Sequence, residues 1–182
     1  MIKKILIINA DYYKDISFNL CLGAIRETCI ISSLNILDEK NIALAEQVIS
    51  KMLHDGEKYF STNSILDDNN QHEIIVEIKN VAGCLEIPLA LARYSKTNKY
   101  NGYVVLGCVI RGQTTHYETV CNESNRAIMN IATENSLALG NGILTTENLS
   151  QANQRARYWM AHHENKGGFA MRACLDICNI TV

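Results

Sequence analysis

The chain is predicted to be an α/β protein with a four-stranded parallel sheet covered by helices on both faces. Short, uninterrupted apolar runs recur along it, as expected of strands buried on both sides. Segments with apolar residues at helical spacing lie between those runs, and strand–helix alternation argues for right-handed βαβ units. At 182 residues, 47% apolar and 20% charged, the chain is long enough to bury a substantial core as one domain.

The first run, 5–8, is all isoleucine and leucine and reads as a central strand, with Asn9-Ala10-Asp11 as its exit. Ser17 is placed to cap the next helix, whose apolar side carries Leu20, Leu22, Ala24, Ile25 and Ile30. A second helical pattern runs over 38–53, with Ile42, Ala45, Val48, Ile49 and Met52 in phase and Gly56 at its end. Residues 57–72, rich in Asn, Asp and Ser, read as a polar connector. The second strand is 74–78, and a helix over 84–92 follows Gly83, with Pro88 in its first turn.

The most informative stretch begins at Gly102. An apolar run from Tyr103 to Ile110 stops at Arg111-Gly112, and Gln113, Thr114 and Thr115 lead to His116. A helix is expected from about residue 120, with Ala127, Ile128, Ile131 and Ala132 on one face. The fourth strand is 139–144, weakened by Asn141 and Gly142. Thr145-Thr146 leads into a helix through Gln151 and Arg155. A last helix from about 168 repeats Ala170, Met171, Cys174, Leu175 and Cys178.

A formal net charge of −2 argues against nucleic acid as the main partner. The N-terminal apolar segment is too short for a signal peptide, and no run approaches the ~18 residues of a membrane span. Seven cysteines without a CxxC pair, mostly in apolar stretches, point to core packing in a reducing compartment. A cytoplasmic location is therefore expected. No histidine pair has metal-ligand spacing with acids nearby: His54, His72 and His162-His163 lie at a helix end, in the connector and in a polar loop. No metal is predicted.

Ligands of open α/β sheets bind beyond the carboxyl ends of the strands. That makes His116 a candidate proton carrier, although a single loop histidine also serves as a plain hydrogen-bonded surface residue. Arg111 and Arg155 are candidate anion binders, or else surface charges. Amides of Gln113 and Thr114 near a helix start offer further donors. Glu86 sits in an otherwise apolar segment, where its carboxylate needs backbone or ligand hydroxyl partners.

The residues carry the reading further. VAGCLEIPLAL (81–91), LGCVIRGQTTHYETVCNE (106–123), GILTTENLSQANQRA (142–156) and NKGGFAMRA (165–173) together resemble the lumazine synthase family, in the family's order and over about half of the chain. The resemblance implies a flavodoxin-like three-layer α/β/α fold. It also implies condensation of 5-amino-6-ribitylaminouracil with 3,4-dihydroxy-2-butanone 4-phosphate to 6,7-dimethyl-8-ribityllumazine, phosphate and water, with no cofactor. His116 matches the proton-transfer histidine, Arg155 the phosphate-binding arginine, and Gln113 with Thr114 the phosphate loop. Cys108, Val109 and Ile110 match the strand end lining the pyrimidine pocket. Cys84, Leu85 and Glu86 match the segment that reaches pyrimidine and ribityl chain, with Glu86 on the hydroxyls. Tyr12 falls at the stacking aromatic, and Lys166 at a lysine that neighbours the substrate from the adjacent subunit.

The chain departs from the family in ways that bear on affinity. Ala82-Gly83-Cys84-Leu85 stands where Pro-Gly-Ala-Phe is usual. Asn141 replaces an aromatic or apolar residue contributed by the adjacent subunit, and Asp11 stands where Arg is frequent. Retained activity with altered pyrimidine affinity is expected; a non-catalytic lumazine- or flavin-binding protein on the same scaffold is the alternative. The stretch 30–72 reads as an insertion into a single 1–182 domain. With one apolar stripe, it is expected to lie on the surface or against another subunit. Family sites lie between subunits, so a homo-oligomer is implied. By the same resemblance, the segment 155–166, with Trp159 at its root, is a few residues longer than in family members that build sixty-subunit shells, which implies a pentamer rather than a shell.

Overall fold

The computed structural model describes residues 3–31, 47, 51, 59–61, 73–157 and 165–179. Its sheet has the order β2-β3-β1-β4-β5, with β1 Lys3–Ala10, β2 Tyr59–Ser61, β3 Ile74–Val81, β4 Gly102–Ile110 and β5 Leu139–Thr146. The four predicted strands are parallel. The short β2 adds an antiparallel edge, pairing Tyr59 with Glu77 and Ser61 with Ile75. It falls inside the expected polar connector, where Tyr59-Phe60 is a local pair of strand-favouring aromatics. The predicted helix over 38–53, the rest of the connector and the 158–164 loop with Trp159 lie outside the described residues, apart from helical positions 47 and 51.

Helices cover both faces. Helices α1 (Lys14–Ile31), α4 (Leu149–Ala156) and α5 (Lys166–Cys178) pack on one core, built from Ile5, Ile7, Val104, Leu106 and Leu144 with Leu20, Ala24 and Met171. Helices α2 (Ile87–Ser95) and α3 (His116–Glu134) pack on the other, around Leu6, Ile8, Val105, Leu91 and Ile128. The result is the expected three-layer α/β/α arrangement. Alternate residues of β1 and β4 feed opposite cores, which is why their sequences are apolar throughout.

Several element starts differ from expectation. Ser17 is not the cap of α1, which begins at Lys14. Instead the buried Ser17 hydroxyl donates to Asn9 Oδ1 at 2.7 Å, and Asn9 Nδ2 donates to Asn80 Oδ1 at 2.9 Å. A fully buried asparagine on a central strand needs those partners. The segment after Gly83 forms a 3₁₀ turn, Cys84–Glu86, before α2 begins, with Pro88 in the first turn of α2. Helix α5 starts at Lys166, capped by Asn165, whose Oδ1 accepts from the amides of Gly167 and Gly168.

Strand β5 is intact despite its glycines, and packing explains them. A Cβ on Gly140 would lie 1.8 Å from the Ala170 carbonyl oxygen, so only glycine lets α5 approach the sheet this closely. Among the described residues, no helix is long and apolar enough to cross a membrane.

Candidate active site

After β1 the chain crosses to β3 on one side, then passes over β1 to β4 on the other. Two neighbouring strands whose connections leave in opposite directions open a crevice at their carboxyl ends. A cavity of about 430 Å³ lies there, within the range of small-molecule sites. The exit of β1 contributes Tyr12 and Tyr13; the exit of β3 contributes Ala82, Gly83 and the turn Cys84, Leu85 and Glu86. The end of β4 adds Cys108, Val109 and Ile110. The β4–α3 loop adds Gly112 and Thr114, and α3 adds His116, Tyr117 and Val120.

His116 is the first residue of α3, not a loop residue ahead of it. The first turn, His116-Tyr117-Glu118-Thr119, has no apolar stripe, so periodicity became visible only at Val120. Thr115 is the N-cap, and the His116 amide donates to Thr114 Oγ1 at 3.4 Å. The imidazole is exposed to the cavity at a helix N-terminus, where free amides and the helix dipole favour an anion.

Tyr12 is 72% exposed. Its ring forms a T-shaped contact with Tyr13, with centroids 4.9 Å apart at 74°, and its exposure leaves the ring accessible for stacking. Leu85 is exposed at the rim, and Glu86 is exposed rather than buried in an apolar segment. The Glu86 carboxylate turns back over Gly83, reaching 3.1 Å from where a Cβ on that glycine would stand. Burial pushes the thiols of Cys84 and Cys108 up to about 12 and about 11, so they act as neutral walls.

The remaining expected residues do not line this cavity. Gln113 is exposed on the loop beside Thr114. Arg155 is exposed on α4, its Nη1 donating to the Gln151 carbonyl at 3.1 Å. Asn141 is exposed on β5, donating to Asn125 Oδ1 at 2.7 Å and accepting from the Ile143 amide at 3.0 Å. Lys166 Nζ lies 4.3 Å from the Phe169 ring centroid. Arg111 is not an open anion binder: its Nε donates to Glu147 at 2.6 Å, its Nη1 to Glu118, and its guanidinium lies 4.1 Å from the Tyr117 ring centroid.

Sequence reasoning missed Tyr13, Tyr117 and Val120. Tyr13 was legible as the neighbour of Tyr12. Starting the helix at the Thr115 cap would have put Tyr117 and Val120 on the wall beside His116. Among the described residues there is no cluster of three or more His, Cys, Asp or Glu able to hold a metal ion.

The chain matches the family model for 6,7-dimethyl-8-ribityllumazine synthase over residues 45–181. It is 43% identical over 130 residues to 6,7-dimethyl-8-ribityllumazine synthase of Bartonella henselae, covering 70% of this chain and 82% of that protein. It is 54% identical over 97 residues to the Bartonella tribocorum synthase, covering 52% and 62% respectively. With 6,7-dimethyl-8-ribityllumazine synthase 1 of Rhizobium meliloti, identity is 49% over 109 residues, 57% of this chain and 69% of the relative. With the family model matching three quarters of this chain, on an α/β/α sheet whose switch point holds His116, the chain belongs to the 6,7-dimethyl-8-ribityllumazine synthase family.

Proposed function

We propose that this chain joins 5-amino-6-ribitylaminouracil to 3,4-dihydroxy-2-butanone 4-phosphate, giving 6,7-dimethyl-8-ribityllumazine, phosphate and water in riboflavin biosynthesis. The observation that carries the assignment of roles is the cavity at the β1/β4 switch point. It gathers His116, Thr114, Glu86 and the exposed ring of Tyr12 around one space large enough for a heterocycle and a short phosphorylated ketone.

The heterocycle stacks on Tyr12 against Val109 and Ile110, and Glu86 at the rim accepts hydrogen bonds from ribityl hydroxyls. Cys84, Leu85 and Cys108 shape the remaining wall. The phosphate sits at the N-terminus of α3, where Gln113 and Thr114 supply donors. His116 then moves protons. It takes one as the substrate amine adds to the ketone and returns one to the carbinolamine hydroxyl, which leaves as water to form the imine. It serves again as phosphate is eliminated and the ring closes. Holding both substrates in register contributes much of the acceleration. This chemistry needs neither metal nor cofactor.

Asn141, Arg155 and Lys166 lie away from the chain's own cavity, so their matched roles are exercised on a neighbouring copy. We read the active form as a homo-oligomer, a pentamer, in the cytoplasm. The chain acts as one domain carrying an insertion over 30–72. Its small-molecule substrates leave no role for nucleic acid or a membrane.

Mixing both substrates with the purified protein and following lumazine absorbance and fluorescence tests the assignment. Turnover that falls sharply in His116→Ala and loses use of the phosphorylated substrate in Arg155→Ala supports it. Product binding without turnover would instead identify a non-catalytic lumazine- or flavin-binding protein.

A further inference from the structure

We infer that Arg111 is a positioning residue that keeps the phosphate end of the cavity attractive to anions by holding two carboxylates away from it; this rests on the function proposed above. Three residues from two separate elements converge on its guanidinium. Glu118 comes from the first turn of α3, Glu147 from the turn between β5 and α4, and Tyr117 from the cavity wall. The Arg111 amide also donates to the Thr146 carbonyl at 2.9 Å, extending the β4–β5 ladder by one residue. The guanidinium is therefore fixed at its base, held over the Tyr117 ring, and forked between two acids.

The electrostatics explain why such a clamp is useful here. The first turn of α3 presents the positive end of a helix dipole to the cavity, and Glu118 stands on that same turn. Left unpaired, its carboxylate would compete with a phosphate for the same donors and repel it. Glu147, a short distance along the chain from Thr146, would add to that repulsion. Arg111 draws both carboxylates to its own side and raises its own basicity in doing so, chiefly through Glu118. The same pairing holds Glu118 below the usual carboxylate range. Arg111 touches no substrate in this arrangement; it acts through Glu118, Glu147 and Tyr117.

The test uses the assembled enzyme, with oligomeric state checked by native mass spectrometry. KM for each substrate and kcat are measured for wild type, Arg111→Lys, Arg111→Gln and the triple variant Arg111→Gln/Glu118→Gln/Glu147→Gln. Binding of inorganic phosphate is followed by calorimetry. Arg111→Gln is expected to raise KM for the phosphorylated substrate by about tenfold, with a much smaller effect on KM for the pyrimidine. The change shrinks at high ionic strength, and Arg111→Lys falls in between. Neutralising both acids in the triple variant restores most of the lost phosphate affinity, which a role confined to folding would not do. Equal changes in both KM values, or no recovery in the triple variant, would overturn the inference. A wild-type protein that binds phosphate without turnover would refute the proposed reaction while leaving the clamp testable by calorimetry. An active wild type whose phosphate affinity is unchanged by Arg111→Gln refutes the clamp alone.

Discussion

Gly107 lies on β4 beneath the cavity, and replacing it with alanine tests how tightly the substrate-facing turn is seated. A Cβ there would stand 2.7 Å from Cys84 Sγ and 3.0 Å from Ala10 Cβ. Ordinary non-bonded contact between such atoms is about 3.5–4.0 Å, so the turn Cys84–Glu86 must retreat by roughly 1 Å. Overpacking of this kind costs about 1–3 kcal/mol. For a chain of this size each kcal/mol lowers Tm by roughly 2–4 °C, so a fall of about 4–8 °C is expected near the middle of that range. The retreat also moves Leu85 and Glu86 at the cavity rim, so KM for the ribityl-bearing pyrimidine should rise while use of the phosphorylated substrate changes less. Thermal unfolding at fixed protein concentration, with kinetics on the same samples, checks both. Cys84→Ala in the same chain removes the sulfur that is struck and should return about half of the lost Tm, since the Ala10 contact persists. Gly112→Ala is the control, with nothing within 4 Å of its added Cβ. A Gly107→Ala protein with wild-type Tm, or one that Cys84→Ala fails to improve, would refute the packing argument.

Glu77 is buried on β3, bound by Lys79 at 2.7 Å and by the Tyr100 hydroxyl at 2.6 Å. Burial works to raise its pKa, but the hydrogen bonds from Lys79 and Tyr100 prevail and hold it below the usual carboxylate range. A carboxyl depressed in the folded state stabilises above its unfolded pKa and loses that contribution as pH falls through the folded one. Tyr100→Phe should therefore cost about 1 kcal/mol in urea unfolding near pH 7, with the difference shrinking below about pH 4; a pH-independent difference contradicts the assignment. Among the cysteines of the described residues, Cys178 should alkylate first near neutral pH. Its thiol is lowered to about 7 by the hydrogen bond from Cys174, with Lys3 adding to the effect. Cys84 and Cys108 should resist although they line the cavity, which mass spectrometry of labelled peptides would decide.

What was legible in the sequence follows from which physical signal each segment carries. Strands β1 and β4 are buried on both faces and carry long apolar runs, while β3 shows a shorter one, Ile74 to Val76, before Glu77. Asn141 and Gly142 weaken the strand signal of β5, yet Gly140 and Gly142 serve the close passage of α5, a contact with residues some thirty positions later. The start of α3 was set late because its first turn faces the cavity and solvent and so shows no apolar period. The family blocks located His116, Cys84, Glu86 and Val109, and the cavity brings all of them together. Arg111 shows what local reading cannot supply. Its character as a paired charge depends on Glu147, separated from it by 36 positions in the chain and brought near only by β4–β5 pairing.

The division of the matched residues between the cavity and the rest of the surface leads to a last prediction about assembly. His116 faces the chain's own cavity, while Arg155 is exposed on α4 outside it. If both serve the same reaction, each site takes His116 from one chain and Arg155 from another. His116→Ala and Arg155→Ala homo-oligomers should then both be defective, but co-expressed or refolded together they complement. Random equal mixing in a ring leaves roughly one site in four with both groups intact, so about a quarter of wild-type activity should return. Were the two residues to act within one chain, every chain of the mixture would carry a defect and no activity would return. The double variant His116→Ala/Arg155→Ala mixed equally with wild type fixes the scale: shared sites again leave roughly one in four intact, whereas groups within one chain would leave roughly one in two. Recovery in the first mixture requires a shared site whatever the ring size, since only a chain boundary lets two separately damaged copies supply one undamaged pair.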